Sequence, residues 1–192
     1  DADVVMESFR PGVVKRLGVD YETLKALNPN IVYMSLTGYG QDGPYANLAG
    51  HDMNYESIGG MLVDDASGRP QVPSSIWADR IATFNATIGI LMGLVARQSL
   101  GRGQYIDVAF VDGAVTLGGG GGDAMLAGYY PCYNIYKTKD GKYVSLGIRE
   151  PWFWEHMCDL VEKPEWREQQ RPEGELREEM FRFFNETFLT KT

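Results

Sequence analysis

The run Ile31-Val32-Tyr33-Met34-Ser35-Leu36 decides the fold, because a short, continuous apolar stretch rich in β-branched and aromatic residues is typical of a buried parallel strand. A second apolar strand, Val4-Val5-Met6, precedes it. The segment Tyr21–Leu27 between them is expected to be a helix, since Asp20 can cap its start and Pro29 follows its end. Strand, helix and strand in succession predict a βαβ unit. The sequence therefore predicts an α/β fold.

Ligands of such units bind beyond the carboxyl ends of the parallel strands. Ser8-Phe9-Arg10-Pro11-Gly12 follows the first strand, and Thr37-Gly38-Tyr39-Gly40 follows the second. Arg10 can present its planar guanidinium to a phosphate at this edge. A surface arginine in a turn is the commoner role, and the residues alone leave both interpretations open.

The next stretch, Gly50-His51-Asp52-Met53-Asn54-Tyr55, places one of the two histidines before an acid in a glycine-rich region. Histidine can take or give a proton near neutral pH. Alternatively, His51 only caps a helix predicted over residues 52–63, with Asp52 in its first turn. Gly59-Gly60 inside that helix would imply close approach by a ligand or another backbone.

The most apolar segment, Ile81–Ala96, predicts a buried helix that opens at Trp77-Ala78-Asp79. Asp79 would lie near the helix N-terminus, where the helix dipole favours an ionised carboxylate. It is either a cap or a catalytic carboxylate. The apolar run is shorter than a bilayer-spanning helix and contains Asn85 and Thr87, so no membrane segment is expected.

A third strand is predicted at Tyr105–Phe110, where apolar and polar residues alternate, and a short helix at residues 111–117. The five glycines of Gly118–Gly122 lack the lysine and hydroxyl of a phosphate-binding P-loop. They predict a flexible loop or active-site flap.

The last third predicts a hairpin and two helices. Asp140-Gly141 separates the β-rich runs Tyr129–Thr138 and Lys142–Gly147, which is a strong hairpin signal. Glu150 is expected to cap a helix over residues 152–161, because Pro151 suits a first helical turn. Glu175–Phe188 predicts an amphipathic helix.

Composition limits the possible functions. The 192 residues carry a net charge of -8, with 44% hydrophobic and 23% charged residues. This is ordinary for a soluble globular protein, and the acidic balance argues against a general nucleic-acid binder. Cys132 and Cys158 have no metal-site spacing and indicate reduced thiols in a cytoplasmic protein, or else one disulfide. No metal site is predicted. The chain starts without methionine, so we expect the middle of a longer protein.

Seven motifs, taken in order, resemble the family III CoA-transferases and the related alpha-methylacyl-CoA racemases. They are Glu7–Gly12, Leu36–Gly40 with Gly43-Pro44, Gly50–Tyr55, Ala78-Asp79, Gly101–Gln104 with Ile106–Val108, Tyr136 with Asp140-Gly141, and Gly147 with Glu150–Phe153. The resemblance implies part of a Rossmann-like CoA-binding domain, a smaller α+β domain and interlocked homodimers. Residues 1–50 would belong to the large domain, residues 51–128 would carry the catalytic region, and residues 129–192 would form the small domain (hairpin plus helices).

The resemblance also implies the site. In the racemases a histidine and an aspartate exchange a proton at the carbon next to the thioester carbonyl, through an enolate, and a glutamate pairs with the histidine. His51, Asp79 and Glu150 match these three residues. The residues expected to bind the CoA part of an acyl-CoA thioester are Arg10, Tyr39, Gly40, Asp52 and Tyr55. No cofactor beyond CoA itself, no nucleic acid and no membrane partner is expected.

Two alternatives accompany the racemase interpretation. In the transferases the aspartate matched by Asp79 attacks the thioester and carries the group through covalent intermediates. Those enzymes need no histidine at the position of His51, so its presence favours a racemase. A catalytically inactive fragment is the other alternative. Arg80 follows the acid where racemases usually have Phe, and is expected either to lower the pKa of Asp79 or to close part of the acyl pocket.

Overall fold

The computed structural model describes residues 2–64, 68–118, 125 and 127–192. The chain divides into two compact units, residues 1–120 and 121–192. The finer division at residues 50 and 128 stays a prediction.

The first unit alternates strands and helices around a parallel sheet. Its elements are β1 (Val4–Glu7), α1 (Val13–Leu17), α2 (Tyr21–Leu27), β2 (Val32–Thr37), α3 (Asp52–Ile58), α4 (Trp77–Leu100), β3 (Tyr105–Ala109) and α5 (Phe110–Gly118). β2 lies between β1 and β3 and is parallel to both, with Val4 opposite Val32 and Tyr33 opposite Tyr105. Every residue of β2 is buried. The predicted α/β class and central strand are confirmed.

The predicted start of α2 is also confirmed. The Asp20 side chain accepts hydrogen bonds from the N–H groups of Glu22 and Thr23, as an N-cap does.

The helix predicted over residues 52–63 is shorter in the structure. α3 ends at Ile58, and Gly60 adopts a φ of 72°, which ends the helix. A Cβ atom on Gly59 would lie 2.5 Å from the Cβ atom of Ala114 in α5. Gly59 therefore permits close packing of α3 against α5, and the prediction that the glycine pair lies within the helix is wrong.

α4 is longer and more exposed than predicted. Ala78, Ala82, Ala86 and Gly93 form its buried side, and such small residues let the helix lie close to the sheet. On the opposite side, five large apolar residues each expose more than half of their surface, namely Phe84, Ile88, Leu91, Met92 and Val95. The prediction of a buried helix is therefore right for one side only.

The length of α4 also corrects an expectation about membranes. With 24 residues, it is the one helix in the described part of the chain that is long and apolar enough to cross a bilayer. The prediction that no segment reaches this length is wrong, while the absence of a membrane partner stays a prediction.

The second unit is a hairpin followed by helices. Its elements are β4 (Tyr133–Lys137), β5 (Tyr143–Gly147), α6 (Pro151–Leu160), a 3-10 turn (Pro164–Trp166) and α7 (Gly174–Leu189). The strands are antiparallel, and Gly141 in the connecting turn has a φ of 80°. Trp154 and Phe184 are fully buried in the core with both cysteines, which are free thiols. The predicted hairpin and reduced cysteines are confirmed.

One predicted feature, the glycine flap, lies largely outside the described residues. Gly118 is the last residue of α5, and residues 119–122 are not described.

Candidate active site

A cavity of about 230 Å³ opens at the carboxyl ends of β1 and β2. Residues 8–11 line it from the loop after β1, and residues 36–38 line it from the end of β2. The remaining lining residues are Ala46, Leu48, Ala49, Gly50, His51, Tyr55 and Phe110. This is the edge of a parallel sheet at which ligands are expected to bind.

Tyr55 forms the aromatic wall of the cavity. Its ring stacks on Phe110, with centroids 5.3 Å apart, and meets Tyr39 edge-on at 5.1 Å. A Cβ atom on Gly38 would lie 2.8 Å from the Tyr55 hydroxyl, and one on Gly50 would lie 2.6 Å from its ring. These positions must therefore lack a side chain for the ring to fit. Burial raises the pKa of Tyr55 above its ordinary value, which favours the neutral phenol.

Two further predicted CoA-binding residues have clear local positions. Arg10 lines the cavity. Gly40 has a φ of 88° and donates its N–H to Thr37 Oγ1 at 3.0 Å, so it shapes the turn after β2.

His51 both begins α3 and lines the cavity. Its backbone N–H donates to Asn54 Oδ1 at 3.0 Å, which fixes the first turn of the helix. His51 is exposed and is one of the residues that line the cavity. The capping and site interpretations are therefore compatible, because the residue that begins α3 also lines the cavity.

Asp79 lies half-buried in the first turn of α4. Its backbone N–H donates to Asp52 Oδ1 at 2.9 Å. Burial raises the pKa of the Asp79 carboxyl, the charge of Asp52 raises it further, and His51 lowers it. His51 and Asp79 therefore interact electrostatically, although Asp79 is not one of the residues that line the cavity.

Arg80 does not have the expected influence on Asp79. Its guanidinium lies 5.5 Å from the centre of the Trp77 ring, in a cation–π contact. Arg80 is not among the groups that shift the pKa of Asp79, which is raised by burial and Asp52. The alternative, that Arg80 closes part of the acyl pocket, stays a prediction.

Glu56 is a buried acid that was not predicted as a site residue. Only 1% of its surface is exposed, and its Oε1 atom accepts the Trp77 N–H at 2.8 Å. Burial raises its pKa, the Trp77 N–H opposes this shift, and a hydrogen bond with Asp52 adds to it. The i, i+4 spacing of Asp52 and Glu56 does place both acids on one helix face. Their common partner, the start of α4, could not be found from that spacing.

The third predicted catalytic residue, Glu150, lies in the second unit. It is the N-cap of α6, and its carbonyl accepts the N–H groups of Phe153 and Trp154. Its pairing with His51 stays a prediction. Within the described ranges, no group of three or more His, Cys, Asp or Glu side chains could hold a metal ion.

Named relatives include both racemases and transferases. Alpha-methylacyl-CoA racemase of Homo sapiens is 35% identical over 170 residues, which are 80% of this chain and 44% of that protein. The succinyl-CoA–L-malate CoA-transferase beta subunit of Chloroflexus aurantiacus is 29% identical over 184 residues, covering 85% of this chain and 44% of that protein. The chain thus spans less than half the length of these two curated relatives.

Solved structures share the fold. Rv3272 from Mycobacterium tuberculosis matches with a TM-score of 0.81 and 28% identity, over 96% of this chain and 55% of that chain. A CAIB/BAIF family protein from Brucella suis matches with a TM-score of 0.75 and 27% identity, over 100% of this chain and 55% of that chain.

The family assignment follows from a match over the whole sequence. The model of CoA-transferase family III matches residues 1–192. Since no part of the sequence lies outside this match, the chain belongs to CoA-transferase family III.

Proposed function

We propose that the protein containing this chain is an acyl-CoA racemase or epimerase. It transfers a proton at the alpha carbon of a 2-methylacyl-CoA thioester, with His51 and Asp79 as the two acid–base groups. The observation that carries the proposal is that His51 lines the cavity at the sheet edge and interacts electrostatically with the Asp79 carboxyl. The 35% identity to a protein named alpha-methylacyl-CoA racemase supports the same assignment.

Inversion needs two groups of opposite starting protonation. In one direction, neutral His51 removes the alpha proton to give an enolate, and protonated Asp79 returns a proton to the opposite face. In the other direction, ionised Asp79 removes the proton and the His51 imidazolium returns one. The raised pKa of Asp79 supports this scheme, because it favours the protonated form required of the donor.

The remaining predicted residues complete the proposed site. Arg10 would bind a phosphate of the CoA moiety, and Glu150 would stabilise the imidazolium of His51. Tyr39, Gly40, Asp52 and Tyr55 would shape the CoA-binding edge. The proposed enzyme uses no cofactor beyond the CoA of its substrate and acts as a cytoplasmic homodimer.

Hydrogen exchange tests this chemistry directly. The full-length protein is incubated with a single enantiomer of a 2-methylacyl-CoA in heavy water, and deuterium at the alpha carbon is followed by mass spectrometry. Wild-type protein is expected to exchange that hydrogen, and His51→Ala to lose about 10²- to 10⁴-fold in rate. His156→Ala, at the exposed histidine of α6, is the matched control and should retain the rate. A folded, CoA-binding wild-type protein that exchanges no alpha hydrogen would contradict the proposal.

The second candidate is a CoA-transferase in which the Asp79 carboxylate attacks the thioester. The 29% identity to a protein named as a CoA-transferase subunit favours it. Incubation with acyl-CoA followed by hydroxylamine would then modify Asp79, and turnover would be indifferent to His51→Ala. A third outcome, in which a dimeric full-length protein binds no CoA, would support a non-catalytic protein.

A further inference from the structure

The longest helix of the first unit begins without a cap from its own sequence. Ile76 occupies the N-cap position of α4, and no side chain there accepts a hydrogen bond from the first turn. The initial N–H groups of a helix have no intrahelical acceptor, so they need partners from elsewhere.

Two acids of α3 supply those partners. Glu56 Oε1 accepts the Trp77 N–H at 2.8 Å, and Asp52 Oδ1 accepts the Asp79 N–H at 2.9 Å. Asp52 also acts on Glu56, because it raises the pKa of the Glu56 carboxyl. α3 therefore caps α4 in place of a local residue. The Asp79 carboxyl belongs to the turn that is held in this way.

A hydrogen bond between two carboxyl groups needs one proton. The buried Glu56 is the group whose pKa is raised, by burial first and also by Asp52, so it is the proton carrier. In that form the Glu56 hydroxyl is free to donate to Asp52, while Oε1 accepts the Trp77 N–H. Asp52 Oδ1 accepts the Asp79 N–H.

We propose that Glu56 is a positioning residue for Asp79, because its carboxyl holds the Trp77 N–H, next to the Asp52 carboxyl that holds the Asp79 N–H, and so fixes the first turn of α4. The proposed catalytic role of Asp79 rests on the function proposed above. Glu56 itself is not one of the residues that line the cavity. It acts through the helix turn that carries the acid.

The charged groups around this arrangement come from α3 and α4. Asp52 is the ionisable neighbour that shifts the pKa of Glu56, and His51 and Asp52 are those that shift the pKa of Asp79. From α5, uncharged Ala114 lies against the end of α3. Loss of the proton from Glu56 therefore adds one negative charge near the start of α4.

The test compares Glu56→Gln with Glu56→Leu in the full-length protein. Glutamine can replace a neutral glutamate, since its NH₂ group donates to Asp52 and its carbonyl accepts the Trp77 N–H. We expect Glu56→Gln to keep alpha-hydrogen exchange within about threefold of wild type. We expect Glu56→Leu to lose roughly ten- to a hundredfold in kcat with a smaller change in KM, because misplacing a catalytic group costs about this much. Glu22→Leu, at an exposed acid of α2, is the matched control.

Amide hydrogen exchange provides a readout that does not need the enzyme reaction. The amides of Trp77 and Asp79 are expected to lose protection in Glu56→Leu and to keep it in Glu56→Gln. If Glu56→Leu does not fold, the pH dependence of amide protection is compared between wild type and Glu56→Gln instead. Protection of these amides should then fall with rising pH in wild type, as Glu56 ionises, but not in Glu56→Gln.

The outcomes separate this inference from the proposed function. If the wild-type protein exchanged no alpha hydrogen, the proposed function would be contradicted. The amide data would still report whether α3 holds the N–H groups of Trp77 and Asp79. Equal activity and protection in the glutamine and leucine variants would overturn the positioning role. The positioning role would also be overturned if Glu56→Gln lost as much activity as Glu56→Leu. The same holds if amide protection depended on pH equally in wild type and Glu56→Gln.

Discussion

Gly50 lies where two tyrosine rings leave no space for a side chain. A Cβ atom there would be 2.6 Å from Tyr55 Cε1 and 2.7 Å from the Tyr39 hydroxyl oxygen. Because Tyr55 also stacks on Phe110, its ring cannot move away without losing that contact. The small residue before His51 is therefore required by packing at the cavity wall.

We predict that Gly50→Ala lowers the free energy of unfolding by about 1–3 kcal/mol, the usual cost of overpacking. Urea denaturation measures this change. Gly147→Ala is the control, because a Cβ atom on Gly147 meets its nearest neighbour, in the Tyr133 ring, at an ordinary 3.8 Å. Equal stability of Gly50→Ala and wild type would show that the two tyrosine rings can shift.

The charge of Asp52 offers a second prediction at the residue scale. Asp52 raises the pKa of Asp79, so removal of its charge should lower that pKa. In the Asp52→Asn variant, the pH at which Asp79 loses its proton should therefore fall. The limb of the pH–rate profile for alpha-hydrogen exchange that reports protonated Asp79 should move to lower pH. Asp112→Asn, at another acid in a first helical turn, should leave that limb in place.

The start of α4 makes the stability of the first unit depend on pH. Burial raises the pKa of Glu56 above its ordinary value of 4.5. For an acid with a raised folded pKa, the stabilising contribution is complete below the unfolded value and is lost as the pH rises through the folded value. Glu56 therefore favours the folded state less as the pH rises above about 4.5.

We predict that wild type loses free energy of unfolding relative to Glu56→Gln as the pH rises from about 4 to 8. Asp79 also has a raised pKa, but it is present in both proteins, so the difference between them isolates Glu56. Denaturant titrations at several pH values measure this difference. A constant difference over the whole range would contradict a raised pKa for Glu56.

The elements show what the sequence could and could not predict. The strand pattern of β2, the Asp20 cap and the Asp140-Gly141 turn act locally, and each was predicted correctly. The end of α3 was missed, because Gly59 was expected inside the helix and instead follows its last residue, against Ala114 of another helix. Sequence patterns carry the local signals but not this tertiary contact.

In the candidate site, too, local signals could be predicted from the sequence and tertiary contacts could not. Arg10 was expected near the sheet edge from the parallel strands, and it lines the cavity there together with His51. Glu56 was not predicted, because its partners are N–H groups of a helix that begins about twenty residues later in the chain. A backbone donor has no sequence signature of its own.

At the scale of the whole molecule, the two units have separate apolar cores. In the second unit, buried Phe184 contacts the rings of Tyr136, Trp154 and Phe188 at centroid distances of 5.7, 5.9 and 6.0 Å. The clusters of the first unit form around Met34 and Tyr55 instead. Removal of the Phe184 ring takes packing contacts from the core of the second unit.

We therefore predict that Phe184→Ala destabilises the second unit by about 3–5 kcal/mol, the typical cost of removing a buried phenylalanine ring. Amide hydrogen exchange with mass spectrometry should show the largest loss of protection in residues 127–192, because their core loses the ring. Phe153→Ala removes a ring that is 54% exposed on α6, and should change protection much less. Equal loss of protection in both units after Phe184→Ala would instead show that they unfold as one cooperative body.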